Sequence, residues 1–235
     1  MRLLAFETST EACSVAVYVD GRVLERFEIA PRRHTELALP WAEALLAEAG
    51  VARSQLDAIA VGRGPGAFTG VRLAIALAQG VALGLDLPVL PVSTLAVLAM
   101  QAGGERRISA IDARMGEVYL GTFARQGEGL LALSEETVVR PDVAVIPAGD
   151  GWHGAGTGFG AADGALQLRL QGRLATVDAQ ALPRAADVAR LAAPVFAAGG
   201  GIAPERAEPA YLRNDVALTL AQQRAARDAE PPRQS

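Results

Sequence analysis

A short internal repeat constrains the fold of this 235-residue chain more than any other feature. Each copy has an apolar strand, an acid at the carboxyl end of that strand, a second strand and a turn. In the first copy these are residues 3–6, Glu7, 13–19 and 20–21. In the second copy they are residues 108–111, Asp112, 118–123 and 126–127. Because both halves begin in the same way, we predict two similar lobes.

Helices and strands alternate along the rest of the chain. The predicted helices cover residues 35–49, 70–85, 93–102 and 183–197, and further predicted strands cover 57–61 and 89–92. This alternation favours an α/β fold in which a largely parallel sheet is covered by helices. We place an N-terminal lobe at 1–103 and a C-terminal lobe at 104–216. Residues 217–235 are predicted to form a tail that is part helical and ends in disorder.

Two lobes that each open with a hairpin and an acid resemble the fold of actin, hexokinase and Hsp70, called the ASKHA fold. In that fold each lobe is a mixed sheet flanked by helices, and the two acids face each other across a cleft, where they handle metal-bound phosphates. The resemblance implies a vestigial nucleotide cleft formed by Glu7, Thr8, Ser9 and Asp112. The alternative is that Glu7 and Asp112 only cap the ends of their strands.

Composition limits the classes of function. The net charge is −4, and the 22 basic residues are all arginine without an arginine-rich block, so affinity for RNA would have to come mainly from another protein. Cys13 is the only cysteine, which excludes an internal disulfide and fits a small core residue in a reducing compartment. Gly80 and Gly84 interrupt the longest apolar segment. We therefore expect a cytoplasmic protein that does not span a membrane.

Residues 62–72, with the sequence GRGPGAFTGVR, join a predicted strand to a predicted helix. Free N–H groups at a helix start can hold an anion, and Arg63 and Arg72 are placed to help. The segment lacks the Gly-Lys-Ser/Thr of a Walker loop. We favour a tight structural turn that seats Phe68 in a core or an interface, with glycines supplying the backbone freedom.

The predicted helix at residues 70–85 has no polar face. Its small residues form two stripes at i, i+4 spacing. One stripe contains Gly70, Ala74, Ala78 and Ala82, and the other contains Ala76, Gly80 and Gly84. An ordinary surface helix carries a polar face, so this helix must be covered by its own lobe or by another chain. We predict a subunit interface that includes Phe68, Trp41, Ala74, Ala78, Val81 and Ala82.

The sequence indicates neither a metal site nor a catalytic triad. The two histidines, His34 and His153, each lack a second histidine four residues away, so a helical His-x-x-x-His site cannot form. No nucleophile-elbow sequence supports a Ser-His-Asp triad. We therefore predict no catalytic residue, metal or cofactor in this chain.

Four segments resemble the TsaB family, and they occur in the same order. They are residues 7–16, 64–72, 112–119 and 209–213, and together they span roughly positions 1 to 216. TsaB is a paralogue of TsaD, the catalytic subunit that transfers a threonylcarbamoyl group to the adenosine beside certain tRNA anticodons. In TsaD a His-x-x-x-His pair carries the metal. Its positions fall here on Thr94 and Leu98, whose side chains cannot replace two imidazoles.

The resemblance implies a non-catalytic partner subunit for threonylcarbamoylation of tRNA. Such a subunit binds TsaD through helices of the first lobe, and the ATPase TsaE joins the complex. ATP and a metal are then expected in the partner subunits. The resemblance also implies that the chain alone forms a homodimer through the same surface, and that it contacts tRNA only indirectly.

Two alternatives remain open on sequence. The first is an independent ATP-dependent kinase or carbamoyl transferase of the same fold, suggested by Glu7, Asp112 and the glycine-containing segment 196–203. The second is a peptidase, a label attached to the wider family. Neither a metal pair nor a triad supports a peptidase.

Overall fold

The computed structural model describes residues 1–213, which contain two β-sheets. The strands of the first sheet are β1 (Arg2–Glu7), β2 (Ala12–Val19), β3 (Arg22–Ile29), β4 (Ala58–Gly62) and β5 (Val89–Val92). Their order is β3-β2-β1-β4-β5. The first three strands are antiparallel, while β4 and β5 run parallel to β1. The sheet is therefore mixed, as the resemblance to the ASKHA fold implied, and not largely parallel, as the alternation of helices and strands alone favoured.

The second sheet repeats this arrangement. Its strands are β6 (Arg106–Arg114), β7 (Glu117–Gln126), β8 (Gly129–Ala132), β9 (Thr137–Val139), β10 (Trp152–Ala155) and β11 (Leu174–Asp178). The order β8-β7-β6-β10-β11 matches that of the first sheet strand for strand, and β9 pairs additionally with β7. The short sequence repeat thus marks the first two strands of each sheet. The predicted two-lobed α/β fold is confirmed.

Within residues 1–213, five helices flank the sheets. They are α1 (His34–Glu48), α2 (Phe68–Leu85), α3 (Thr94–Ala99), α4 (Ala165–Arg169) and α5 (Ala185–Ala197). The predicted helices lie where expected, but α2 begins two residues earlier, α3 ends three residues earlier and α5 begins two residues later. Ser93 caps α3, because its Oγ accepts hydrogen bonds from the backbone N–H groups of Leu95 and Ala96 at 3.1 and 3.2 Å.

Alternate side chains of β1 enter two different cores, because successive residues of a strand point to opposite faces. Leu4 and Phe6 pack with α1 and α2, and Cys13 of β2 lies in the same core. Leu3 and Ala5 pack on the other face of the sheet, against α5. Cys13 is fully buried, as expected of a small core residue.

Helix α5 packs on the first sheet although it follows the second sheet in sequence. Its buried residues include Ala185, Ala189 and Ala192, whose small side chains allow close packing on β1 and β4. A division of the chain at residues 103 and 104 therefore separates α5 from the sheet that it covers. The predicted tail at 217–235 lies outside the described residues.

Candidate functional site

The carboxylate of Glu7 lies inside the first lobe. The residue is 1% exposed, and its Oε1 accepts a hydrogen bond from the Ser9 backbone N–H at 2.7 Å. Its Oε2 accepts a second hydrogen bond from Thr94 Oγ1 at 3.2 Å. Burial raises the pKa of Glu7 above its usual value, and these hydrogen bonds oppose that effect. Glu7 is therefore part of a buried polar cluster at the end of β1.

The glycines of residues 62–70 allow the loop to lie directly on this cluster. A Cβ on Gly62 would lie 1.9 Å from Glu7 Oε2, and a Cβ on Gly70 would lie 2.0 Å from the carbonyl oxygen of Thr8. Thr8 Oγ1 donates to the Gly70 carbonyl at 2.7 Å. These contacts explain the glycines without a ligand. They support the favoured interpretation of the loop as a tight structural turn.

A cleft of about 840 Å³ lies between the lobes. Ser9, Phe68 and Arg72 line it from the first lobe, and Asp112 and Thr157 line it from the second. Of the four residues predicted for a nucleotide cleft, only Ser9 and Asp112 reach its wall. Thr8 is fully buried beside Glu7.

The prediction that Glu7 and Asp112 face each other across the cleft is therefore wrong, because Glu7 does not reach the cleft. Its hydrogen bonds to Ser9 and Thr94 hold its carboxylate beneath the cleft surface. Asp112 does face the cleft, but its carboxylate binds Arg114 through the backbone N–H at 2.8 Å and the guanidinium at 2.9 Å.

The segment at residues 209–213 spans the mouth of this cleft. On the first lobe, the Ala210 N–H donates to the Arg63 carbonyl at 2.8 Å. On the second lobe, Arg213 pairs with Glu117 and donates to the Ala113 carbonyl at 3.2 Å. The sequence identified this segment only as a family motif. Its role as a link between the lobes depends on contacts between residues that are 96 to 147 positions apart in sequence, and no local sequence pattern reveals such contacts.

One face of α2 is exposed, and it is not the face predicted for the interface. Ala74, Ala78 and Ala82 are fully buried against the first sheet, so they cannot contact a partner in the folded chain. This part of the predicted interface is wrong. The exposed positions form the other small-residue stripe, which contains Ala76, Gly80 and Gly84 together with Leu83.

A groove of about 360 Å³ lies between this face of α2 and α1. Leu39, Gly80, Val81 and Gly84 are among the residues that line it. Val81 is half-buried there, and Phe68 is 68% exposed at the start of α2. Trp41 is half-buried and packs against the core beneath α1. By length and composition α2 could span a membrane, but its opposite side packs on the first sheet.

The two positions where the resemblance implies metal ligands in TsaD lie in the core of this chain. Thr94 and Leu98 are both fully buried, and Thr94 Oγ1 also accepts a hydrogen bond from the Gly64 N–H at 3.1 Å. Within residues 1–213, no group of three His, Cys, Asp or Glu side chains is placed to hold a metal ion. His34 contacts the Thr10 carbonyl and His153 contacts Thr176 Oγ1, so each histidine has a local structural partner.

Comparison with known proteins decides the family. Residues 27–157, more than half of the chain, match the model of the TsaD family of tRNA N6-adenosine threonylcarbamoyltransferases. The chain is also 43% identical over 226 residues to the tRNA threonylcarbamoyladenosine biosynthesis protein TsaB of Escherichia coli K12, covering 92% of this chain and 96% of that protein. The chain belongs to the TsaB family.

Two solved structures have the same fold as this chain. YeaZ from Pseudomonas aeruginosa is 48% identical, with a TM-score of 0.84 over 90% of this chain and 99% of that one. A second structure from the same organism, of a protein described as similar to the peptidase YeaZ, is 47% identical and also has a TM-score of 0.84. Membership of TsaB places the chain among the proteins of tRNA threonylcarbamoyladenosine biosynthesis.

Proposed function

We propose that this chain is the non-catalytic partner subunit of a tRNA threonylcarbamoyl transferase, and that it binds the catalytic subunit TsaD through the exposed face of α2. The observation that supports this proposal is an apolar helix face without cover in the described chain. Leu83 on α2 is 61% exposed, and Leu39 on the neighbouring α1 is 43% exposed. Contiguous apolar surface of this kind is typical of subunit interfaces.

The small residues of this face suit the approach of another helix. A Cβ on Gly80 or Gly84 would meet no atom within 4 Å, so the backbone of α2 is open to a partner at both positions. The groove between α1 and α2 continues this surface. Leu39 lines this groove, while Leu83 lies on the exposed face of α2, and both supply apolar area for a partner to bury.

In this proposal the chain holds no cofactor, and ATP and a metal belong to TsaD and to the ATPase TsaE. Supporting this, the Glu7 carboxylate is engaged by Ser9 and Thr94, and Thr94 and Leu98 stand where TsaD carries metal ligands. The net charge of −4 fits a subunit that contacts tRNA indirectly. In this proposal the protein is cytoplasmic. Without TsaD, it forms a homodimer through α2.

Reconstitution tests the proposal. Threonylcarbamoyl transfer to tRNA is measured with purified TsaD, TsaE and the activated threonine donor, with and without this chain. We expect transfer to require the chain, and Gly80→Arg to abolish both transfer and co-elution with TsaD while leaving the chain folded. Leu168→Arg, on the exposed side of α4 in the second lobe, is the control and should behave as the wild type. Equal transfer without the chain would refute the proposal.

An independent ATP-dependent enzyme is the alternative that the cleft favours, because Asp112 faces a space large enough for a nucleotide. Among the described residues, the glycine-containing segment 196–203 contributes nothing to the wall of that cleft. Calorimetry with ATP and magnesium distinguishes the two functions, since binding by the isolated chain would favour the enzyme. Peptide cleavage that depends on the purified chain would favour the peptidase alternative.

A further inference from the structure

The exposed stripe of α2 carries a single charge at one end. Positions 68, 72, 76, 80 and 84 follow one another at i, i+4 spacing, and Arg72 is the only charged residue in the whole of α2. The stripe therefore runs from Gly84, at the carboxyl-terminal end of the helix, to a cation one turn after its start. This end adjoins the mouth of the interlobe cleft.

The guanidinium of Arg72 is held in place by aromatic side chains. It lies 3.3 Å from the centroid of the Phe68 ring and 5.2 Å from that of the Tyr211 ring. It donates to the Phe68 carbonyl at 3.1 Å and to the Tyr211 hydroxyl at 2.6 Å. Both rings are largely exposed, at 68% and 59%. These contacts favour one orientation of the guanidinium before any partner arrives, which lowers the entropic cost of binding.

This cation has no acidic partner among residues 1–213, where no carboxylate lies within salt-bridge distance of it. Two of its five N–H donors are engaged by the Phe68 carbonyl and the Tyr211 hydroxyl, and the others have no hydrogen-bond partner in the described part of the chain. Arg72 also lies towards the amino-terminal end of α2, where the helix dipole is positive and favours a negative charge nearby. Covering this guanidinium with apolar surface alone would leave a buried charge unpaired.

We propose that Arg72 determines partner specificity, and that the helix which packs on the α2 stripe brings an Asp or Glu side chain onto the free N–H groups of Arg72. This inference rests on the proposed function, since the partner is the catalytic subunit bound through α2. A carboxylate matches the planar fork of a guanidinium and pairs with it through two parallel hydrogen bonds. The apolar stripe then supplies binding energy, while Arg72 selects the partner and fixes the position of its helix along α2.

The test is a titration of the purified catalytic subunit against folded variants at low and high salt. We expect Arg72→Gln to weaken binding by about tenfold and Arg72→Glu to weaken it further, because a fixed charge pair is lost or reversed. The affinity of the wild type should fall with salt more steeply than that of Arg72→Gln. Arg22→Glu makes the same charge change at an exposed strand position and should bind within about twofold of the wild type.

A second variant separates recognition from local structure. Tyr211→Phe removes the hydroxyl that accepts from Arg72 but keeps the cation, so binding should weaken by no more than about threefold. If Tyr211→Phe loses as much affinity as Arg72→Gln, Arg72 acts by holding residues 209–213, and the inference is wrong. Wild-type affinity in Arg72→Glu, or an equal loss in Arg22→Glu, would also overturn it.

Two further outcomes identify which idea fails. If Gly80→Arg still binds the catalytic subunit, the proposed interface itself is wrong. If Gly80→Arg loses binding but Arg72→Glu does not, only the inference about Arg72 fails. A second copy of the chain could supply Asp86, an exposed acid at the end of α2. If Arg72→Gln and Asp86→Asn both reduce self-association in sedimentation while partner affinity is unchanged, the occupant is a second copy and the proposal is overturned.

Discussion

Thr94 Oγ1 donates a hydrogen bond to Glu7 Oε2 across 3.2 Å, between residues that are 87 positions apart. The contact joins the start of α3 to the end of β1, and both residues are 1% exposed or less. The same hydroxyl oxygen accepts from the Gly64 N–H. Three segments of the first lobe therefore meet at one buried carboxylate. This relationship explains why a strand-end acid, which a nucleotide enzyme would direct into the cleft, is here a structural residue.

Replacing Glu7 by Gln is expected to change the pH dependence of stability. Burial raises the pKa of Glu7 in the folded chain, so the folded state binds the proton more tightly than the unfolded state does. Stability should then fall as pH rises from about 4.3, the ordinary pKa of Glu, through the raised pKa of Glu7 in the folded chain. Glu7→Gln removes this loss, so its free energy of unfolding relative to the wild type should rise between pH 4 and pH 8. Urea denaturation of both proteins at pH 4 and pH 8 measures the difference between their free energies of unfolding. If that difference does not change with pH, the prediction is wrong.

Ala78→Arg is expected to unfold or severely destabilise the chain. Ala78 is fully buried in the core between α2 and the first sheet, and an unpaired charge there should reduce stability by about 3–5 kcal/mol. Circular dichroism and thermal melting check this result. Gly80→Arg, two residues later on the exposed side, should melt close to the wild type. A folded Ala78→Arg variant that fails to bind TsaD would show instead that this residue faces the partner.

Gly70 and Gly84 both lie in α2, but substitution by Ala should have opposite effects. At Gly70 the new Cβ would lie 2.0 Å from the Thr8 carbonyl oxygen, so α2 or β1 must shift, and we expect a loss of about 1–3 kcal/mol. At Gly84 the Cβ meets no atom within 4 Å, so the higher helix propensity of Ala should add about 0.5–1 kcal/mol. Chemical denaturation of the two variants measures the difference. Effects of the same sign would show that the loop does not press on β1 as described.

Glu25→Ala is expected to loosen the attachment of α5. The carboxylate of Glu25 on β3 accepts hydrogen bonds from Ser14 Oγ at 2.9 Å, from the Ala186 N–H at 3.0 Å and from Arg184 Nε at 2.9 Å. Removing it leaves buried donors unpaired at the start of α5, so we expect a loss of about 1–3 kcal/mol.

The control for this variant is Glu28→Ala on the same strand. Glu28 forms an exposed pair with Arg33, so its loss should change stability by no more than about 0.5 kcal/mol. Hydrogen exchange should localise the effect of Glu25→Ala to residues 185–197. Equal destabilisation by the two variants would show that the Glu25 contacts do not hold α5.

The sequence predicted the fold well because the repeat lies in the first strands of each lobe, where apolar runs and turns are local signals. It did not predict which stripe of α2 is exposed. Apolar or small residues occupy nearly every position of that helix, so Ala78 and Gly80 look equivalent until the sheet beneath them is known. For the same reason an acid at a strand end does not reveal its direction, which for Glu7 depends on Thr94. The packing of α5 on the first sheet likewise involves distant contacts, such as those of Glu25 with residues 184 and 186.

The position of α5 has a consequence for how the chain is made. On the ribosome, the five strands of the first sheet are complete once Val92 has emerged, but the helix that covers one of its faces ends at Ala197. About one hundred residues must therefore be translated while Leu3, Ala5 and Ala60 lack the α5 residues that bury them. The first lobe cannot finish folding in the order in which it is synthesised, and its uncovered face is a surface for a chaperone to protect in the meantime.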